Sequence, residues 1–210
     1  MKKVLTLVTV CIIAVCSLTS CRKKYYNDFH TSYFYLDYDL LDCVWESTHD
    51  PGFYYSFYDD GIVMILRDMD MYLDNDHFYA YGYDLPFDYY DNRVAVYDEE
   101  TDEILLEMRV VDAYQTGTMN GYYEIIGGEY YYEFLNMYKG APEVFMNVSN
   151  ECVTLEFTAA VYSANGRTLE ITKDYVKQFD STIKYTVKND KLTFKYKGRG
   201  SESFIRTYFE

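Results

Sequence analysis

Apolar and polar residues alternate along much of the chain after position 41, which is the pattern of antiparallel β-strands. The clearest example lies near the C-terminus, where apolar residues take every second position of residues 183–188 and again of residues 191–197. Asn189-Asp190 separates the two runs and suits a tight turn. Successive side chains of a strand point to opposite faces, so this hairpin has one apolar face and one face rich in lysine.

Three further pairs of short strands are predicted upstream. Residues 53–58 and 62–66 flank Asp59-Asp60-Gly61, in which Asp-Gly supplies the left-handed backbone positions of a hairpin turn. The other two pairs are 93–97 with 103–111, and 122–126 with 130–135 around Gly127-Gly128.

A longer strand over residues 153–162 ends at a turn formed by residues 163–166. The one helix that the pattern predicts covers residues 173–180, where three apolar side chains fall near one face. The predicted fold class is all-β: an antiparallel meander, closed as a barrel or folded as a sandwich, with at most one or two short helices.

The first twenty residues have the layout of a secretory signal peptide. Met1-Lys2-Lys3 is positively charged, and the apolar stretch over residues 4–15 is too short to span a bilayer stably. Leu18-Thr19-Ser20-Cys21 resembles the lipobox of bacterial lipoproteins. The resemblance implies that Cys21 carries three acyl chains, palmitate among them, and becomes the new N-terminus. An ordinary cleaved signal with an unmodified Cys21 is the alternative.

The lipobox resemblance also predicts where the protein resides. It implies attachment to a membrane through the lipid, in the cell envelope of a Gram-negative bacterium and at its outer membrane. Arg22-Lys23-Lys24 makes the arm after Cys21 basic rather than acidic, which favours the periplasmic side over the cell surface. Residues 21–40 are predicted to be a flexible tether, and residues 41–210 a β domain.

Composition and charge narrow the classes of partner. The chain has 27 Tyr, 13 Phe and 34 acidic against 19 basic residues, and its net charge of −15 argues against an unaided nucleic-acid binder, because it repels phosphate. Residues 37–100 hold 17 acids and only Arg67 and Arg93 as bases, whereas residues 150–210 hold ten bases and eight acids. A solvated acidic half is the favoured interpretation, and an acidic face directed at a cationic partner is the alternative.

Two cysteines remain for the domain once the signal peptide and Cys21 are set aside. Cys43 and Cys152 form an even pair in a compartment that permits disulfides, so a disulfide between them is one interpretation. Two free thiols that pack as small hydrophobic side chains are the other.

The densest cluster of carboxylates is Asp68, Asp70, Asp74 and Asp76, a weak candidate for Ca²⁺. The glycine and the final glutamate of an EF-hand are missing, and the acids alternate with Met69, Met71 and Leu73 as on a strand with an acidic, solvated face. No His or Cys spacing typical of transition metals is present. We therefore predict no metal and no cofactor.

Both ends of the predicted domain resemble lipocalin-like domains of bacterial lipoproteins. Those domains open with Gly-x-Trp on the first strand and close with an arginine near the end of the last. Trp45, the sole tryptophan, and Arg206 match these positions, and Cys43 stands where the family has glycine. The resemblance implies a lipocalin-like barrel in which Arg206 lies over Trp45 and closes one end through a cation–π contact.

The sequence contains no Gly-x-Ser-x-Gly, phosphate-binding loop or His-Glu-x-x-His motif, and we predict that the protein is not an enzyme. The predicted function is a membrane-anchored binding or accessory module, with a cavity or groove lined by Tyr and Phe for an apolar or carbohydrate ligand. Two alternatives are a structural β domain that binds a protein partner, and a glycan-active hydrolase with an unrecognised pair of carboxylates.

Overall fold

Antiparallel strands make up most of the described chain, which covers residues 37–114 and 117–208 of a computed structural model. The strands are β1 (Val44–Ser47), β2 (Phe53–Phe57), β3 (Ile62–Leu73), β4 (Phe78–Ala80), β5 (Tyr83–Leu85), β6 (Phe87–Tyr90), β7 (Arg93–Tyr97), β8 (Ile104–Ala113), β9 (Gly121–Gly127), β10 (Val144–Ser149), β11 (Cys152–Ala164), β12 (Thr168–Asp174), β13 (Thr182–Lys188), β14 (Lys191–Tyr196) and β15 (Gly200–Thr207). The helix α1 (Glu129–Met137) and a 3₁₀ turn at Tyr38–Leu40 complete the elements of this part. The predicted all-β fold class is confirmed.

Eight strands form a closed ring, the upper ring, which consists of β1, β2, β3 and β11 to β15. Within it neighbours along the chain pair as hairpins, and two long-range pairings complete the circle: β1 with β15, and β3 with β11. Closure of this kind gives every strand of the ring a paired neighbour on both sides.

The two longest strands also take part in a second ring, the lower ring. β3 pairs with β2 over residues 63–67 and with β4 over residues 71–73, while β11 pairs first with β10 and then with β12. β4 to β10 complete the lower ring, and the chain itself closes it between β5 and β6 at Pro86. The Pro86 carbonyl accepts a hydrogen bond from the Tyr97 backbone N–H at 2.9 Å. We call the β3–β11 pair the spine.

The interiors of both rings lie on the same face of the spine. Val63 and Ile65 in the upper ring and Met71 and Leu73 in the lower ring share one side of β3, and each is at most 5% exposed. All four belong to one hydrophobic cluster that runs through both rings. A continuous core of this kind couples the stability of the two rings, because neither has a separate interior.

β11 changes partners at a β-bulge. Its register against β3 shifts between Thr158 and Ala160, and the adjacent Ala159 and Ala160 are both fully buried. A bulge adds one residue to a strand and increases its local twist. The bend therefore falls where β11 passes from the lower ring to the upper ring.

The helix α1 corrects the prediction of a third hairpin over residues 122–135. The first half of the predicted hairpin is the strand β9, as expected. Residues 130–135, the predicted second strand, are helical and bury Phe134 in the core. Gly128 precedes the helix with a φ of 94°, and a Cβ there would lie 2.5 Å from the Leu105 carbonyl oxygen. The close approach of α1 to β8 thus depends on a glycine, which the sequence pattern had assigned to a hairpin turn.

The predicted helix over residues 173–180 is wrong. Residues up to Asp174 belong to β12, and the segment that follows is an irregular loop. Lys177 has a φ of 56°, which a right-handed helix does not accommodate. Val176 and Phe179 are nonetheless at most 9% exposed. The apolar pattern therefore indicated buried side chains correctly, but these lie in a loop and not in a helix.

The domain begins earlier than the sequence indicated. Asp37–Leu40 were assigned to the tether, but Leu40 is fully buried in the core of the upper ring. The rest of the predicted tether, the signal peptide and the lipobox with Cys21 lie outside the described residues. Within the part that the structure describes, no helix is long and apolar enough to cross a membrane.

Candidate functional site

One end of the upper ring is closed by the pair that the sequence singled out. Trp45 and Arg206 are opposite each other in the β1–β15 ladder, and the guanidinium carbon lies 5.0 Å from the centre of the indole ring. Trp45 is fully buried, and the Arg206 side chain is 23% exposed. The predicted cation–π contact between neighbouring first and last strands is therefore present.

The 3₁₀ turn holds this pair in place. The Leu40 carbonyl accepts the Trp45 indole N–H at 3.1 Å, and the Asp39 carbonyl accepts an Arg206 N–H at 2.9 Å. The Cys43 thiol also points to the Leu40 carbonyl, at 3.8 Å. The side chain at the position where the resembling family has glycine is accommodated by this turn.

Large side chains fill the upper ring. Tyr55 lies 5.2 Å from Phe204 between ring centres, and Phe194 lies 5.3 Å from Phe204. Phe57 contacts Tyr162 at 5.2 Å. An eight-stranded ring is just wide enough to be filled by its own side chains, and the aromatic residues here do so.

A gap opens between the two rings, at what we call the waist. The register of β2 on β3 ends at Phe53 opposite Arg67, and that of β4 begins at Ala80 opposite Met71. The Asp68 backbone N–H still donates to the carbonyl of Gly52, just before β2, at 2.9 Å, but residues 69–70 of β3 face neither strand along this edge. Because β2 belongs to the upper ring and β4 to the lower ring, the gap is a direct result of the shared spine.

A cleft of about 580 Å³, the waist cleft, lies beside this gap. That volume is in the range of small-molecule sites. Its lining combines three carboxylates, one guanidinium, two phenol rings and three thioethers: Asp50, Asp68, Asp70, Arg67, Tyr81, Tyr138, Met69, Met71 and Met137. The cleft thus offers flat apolar surfaces next to hydrogen-bonding groups of both signs.

Arg67 is the cationic group of the cleft. It lies in the inward-facing row of β3, where the gap lets its side chain reach solvent, and its guanidinium donates to Asp50 at 2.7 Å. That hydrogen bond is the main reason why the pKa of Arg67 is raised above its ordinary value. Arg67 therefore stays charged and fixes the loop between β1 and β2 at the rim.

Asp68 and Asp70 point to the outer face of β3 at the rim of the cleft. Asp68 accepts hydrogen bonds from the Tyr54 hydroxyl at 2.7 Å and the Thr154 hydroxyl at 2.9 Å. Asp70 is exposed, and within residues 37–114 and 117–208 it makes no hydrogen bond or ion pair. One carboxylate is thus held in a fixed orientation and the other is available to a ligand.

The two phenols of the cleft are neutral at ordinary pH. Burial, followed by the negative charge of Glu133, raises the pKa of Tyr81 to about 12. Burial also raises the pKa of Tyr138. The Tyr81 side chain is 46% exposed and packs edge-to-face on Tyr130, with 5.2 Å between ring centres. It presents a supported aromatic surface to the solvent.

The four candidate calcium ligands do not form one group. Asp68 and Asp70 lie on the outer face of β3, as the strand interpretation predicts, while Asp74 and Asp76 lie in the turn before β4. The Asp74 carboxylate accepts the backbone N–H groups of Asp76 and His77, both at 2.7 Å, which lowers its pKa. Among the described residues no group of three or more ligating side chains is arranged to hold a metal ion.

The structure does not bring the two cysteines together. Both are free, with Cys43 partly buried and Cys152 exposed. The position of each cysteine can be measured along β3. Cys43 precedes Val44, which is level with Met64 through the registers of β1 on β2 and of β2 on β3, and Cys152 is opposite Tyr72, eight residues further along β3. Eight residues of strand correspond to roughly 26 Å, far beyond the 7 Å or so that a disulfide spans between Cα atoms. Burial raises the pKa of the Cys43 thiol, so it is protonated at neutral pH.

Comparison with known protein families, with curated proteins and with solved structures gives no match to this chain.

Sequence patterns missed most of the waist cleft. Asp68 and Asp70 were noted as candidate metal ligands and Arg67 as an isolated base, but Met137 and Tyr138 carried no signal. The one available hint was the Tyr81-Gly82 dipeptide between two apolar runs, which indicates a turn that exposes an aromatic ring.

Replacement of Arg206 by alanine tests the closure of the upper ring. We expect Arg206→Ala to lower the free energy of unfolding by about 1–2 kcal/mol, because it removes both the cation–π contact and the packing of the arginine stem on Trp45. Since Trp45 is the sole tryptophan, its fluorescence emission should shift in the same variant. Arg199→Ala is the control, because Arg199 is 61% exposed and distant from the indole in the ladder. Equal stability losses and unchanged fluorescence in both variants would contradict the account.

Proposed function

We propose that this chain is a lipid-anchored, non-enzymatic binding or accessory module of a bacterial cell envelope, and that its waist cleft binds a carbohydrate. The lipobox resemblance at Leu18-Thr19-Ser20-Cys21 supports the lipid anchor, and the basic arm Arg22-Lys23-Lys24 supports the periplasmic side of an outer membrane. The Trp45–Arg206 contact supports the resemblance to lipocalin-like domains of lipoproteins. The binding site proposed here is the cleft outside the upper ring rather than a cavity within it.

The composition of the waist cleft is the observation that carries the carbohydrate assignment. Tyr81 supplies a half-exposed aromatic face on which the apolar side of a sugar ring stacks. Asp70 supplies a free acceptor for hydroxyl groups, and Arg67 supplies donors. A purely apolar ligand would bury these charged groups without compensation, which is costly, so a sugar suits the cleft better.

The alternative of a structural β domain that binds a protein partner is favoured by a different observation. Five tyrosines on β4 to β6 and the turns beside them are at least 40% exposed: Tyr79, Tyr81, Tyr83, Tyr89 and Tyr90. Exposed tyrosine is enriched at protein interfaces. Only Tyr81 belongs to both candidate surfaces, so the two functions are separable by substitution.

Carbohydrate binding is tested with a soluble, unlipidated form of residues 25–210, which contains the whole described domain with its own core. Calorimetry with hexasaccharides of glucose, xylose and N-acetylglucosamine should reveal binding by at least one of them. Tyr81→Ala should weaken it about tenfold and Asp70→Asn by a similar factor, because the first removes an aromatic stacking surface and the second a charged acceptor for sugar hydroxyls.

Tyr38→Ala is the matched control for Tyr81→Ala, since Tyr38 is 82% exposed and lies at the far end of the upper ring. It should leave the affinity unchanged. Absence of binding by every saccharide, or equal effects of the two tyrosine variants, would refute the waist cleft as a carbohydrate site. Hydrolysis of chromogenic glycosides that Asp68→Asn or Asp70→Asn abolishes would refute the non-enzymatic assignment in favour of the hydrolase.

The lipid anchor is tested separately. Mass spectrometry of the full chain expressed in a Gram-negative host should find a triacylated N-terminus at Cys21 in the membrane fraction. Cys21→Ser should release the protein from that fraction, because no thiol remains to accept the lipid. An unmodified Cys21 in the wild-type protein would overturn the proposed anchor while leaving the cleft untested by that result.

A further inference from the structure

We propose that the outer face of the β13–β14 hairpin docks onto an anionic lipid bilayer. The face consists of Lys184, Lys188, Lys191 and Lys195, which we call the lysine face. This proposal goes beyond the lipid anchor of the proposed function. The anchor places the protein at a membrane but does not say which surface of the domain contacts the bilayer.

The register of the hairpin places like charges directly opposite each other. Lys184 is level with Lys195, and Lys188 is level with Lys191, and all four side chains are exposed. Cations opposite one another on the same face of a sheet are destabilising. The four lysines therefore repel one another in the isolated domain, and a negative partner would offset that repulsion.

A second pair of cations in the same protein shows the contrast. Arg93 and Arg109 are also level with each other, in the β7–β8 ladder. Each is neutralised by a glutamate: Arg93 pairs with Glu107 at 2.8 Å, and Arg109 pairs with Glu124. None of the ion pairs in the described parts of the chain involves a lysine of the lysine face.

The lysine face adjoins the point where the chain from Cys21 reaches the domain. Asp190 lies in the turn between Lys188 and Lys191, and its carbonyl accepts the Arg206 backbone N–H at 2.8 Å. The Arg206 guanidinium in turn donates to the Asp39 carbonyl. Sixteen residues separate Asp37 from Cys21, a span of at most about 55 Å. A bilayer that holds Cys21 is thus always within reach of this end of the upper ring.

Charge is distributed so that a negative surface orients the domain. Residues 168–208 hold nine bases and five acids, whereas residues 70–149, which form most of the lower ring, hold 17 acids and three bases. Anionic headgroups attract the first segment and repel the second, and the range of both effects is about 8 Å at physiological salt. The domain therefore rests on its lysine face with the acidic lower ring directed away from the bilayer.

A second copy of the chain is the competing occupant, because its acidic lower ring also complements lysine. The bilayer is favoured, since the described domain begins at Asp37, beside the lysine face, and a lipid at Cys21 would be only sixteen residues away along the chain. An encounter between two copies has no such constraint. The experiment distinguishes the two partners, because a bilayer partner requires vesicles for binding, whereas a second copy would associate in their absence.

The test uses unlipidated residues 25–210, which lack both Cys21 and the basic arm, so the result does not depend on whether the proposed anchor is correct. The protein is sedimented with vesicles of phosphatidylcholine alone or with about 30% phosphatidylglycerol. We expect binding to the anionic vesicles only, and its loss at about 1 M salt, where screening shortens the range of charge to about 3 Å.

Each lysine near an anionic surface strengthens partitioning about fivefold. Lys184→Gln/Lys195→Gln should therefore lower partitioning onto anionic vesicles by tenfold or more. Arg93→Gln/Arg109→Gln removes the same charge from a level pair on the lower ring and should change partitioning by less than about twofold. The lysine variant should also unfold at the same or a higher temperature, because repulsion is removed. That result excludes misfolding as the cause of lost binding.

Equal binding to the two kinds of vesicle, or equal effects of the two double variants, would overturn the proposal. Salt-sensitive self-association without vesicles, abolished by Lys184→Gln/Lys195→Gln, would instead assign the lysine face to a second copy. Failure of lipidation at Cys21 would refute the anchor and leave the vesicle result unaffected.

Discussion

β3 and β11 pair along almost their whole length, and each has only one other edge to offer to further strands. Both strands are longer than any single neighbour, so that second edge is divided between two partners. β3 passes from β2 to β4, and β11 passes from β10 to β12. The two rings, their common interior and the waist gap all follow from this division. The bulge at Ala159-Ala160 supplies the bend that it requires.

The candidate site depends on the same constraint. Where β3 changes partners, Arg67 reaches solvent from an inward-facing row and the carboxylates of Asp68 and Asp70 stand at an open rim. A further strand along this edge would have placed its own inward-facing side chains beside Arg67 and closed the opening of the cleft. The site is thus supplied by a rigid two-stranded ladder with loops and α1 around it, an arrangement that holds binding groups in place at little cost in entropy.

Sequence patterns predicted the features that depend on residues close together in the chain, such as hairpins and their turns. The β13–β14 hairpin was found because Asn189 and Asp190 both adopt left-handed φ, 52° and 55°, as a two-residue turn requires, and because its period-two pattern is clean. The helix α1 was missed because packing of Phe134 against the core overrode a tyrosine-rich segment that resembles a strand. The waist cleft was missed because its residues come from four separated segments that only the spine brings together. The pairing of β3 with β11 spans some ninety residues, and no short motif encodes it.

Native-state hydrogen exchange along a denaturant series shows directly whether the spine makes both rings one cooperative unit. We expect the most protected amides of the spine, of β14 in the upper ring and of β9 in the lower ring to converge on a single opening free energy, because one core serves all three. Exchange of the β9 amides through an opening of much lower free energy, while the spine and β14 stay protected, would show that the lower ring unfolds independently and that the two rings are not coupled through the spine.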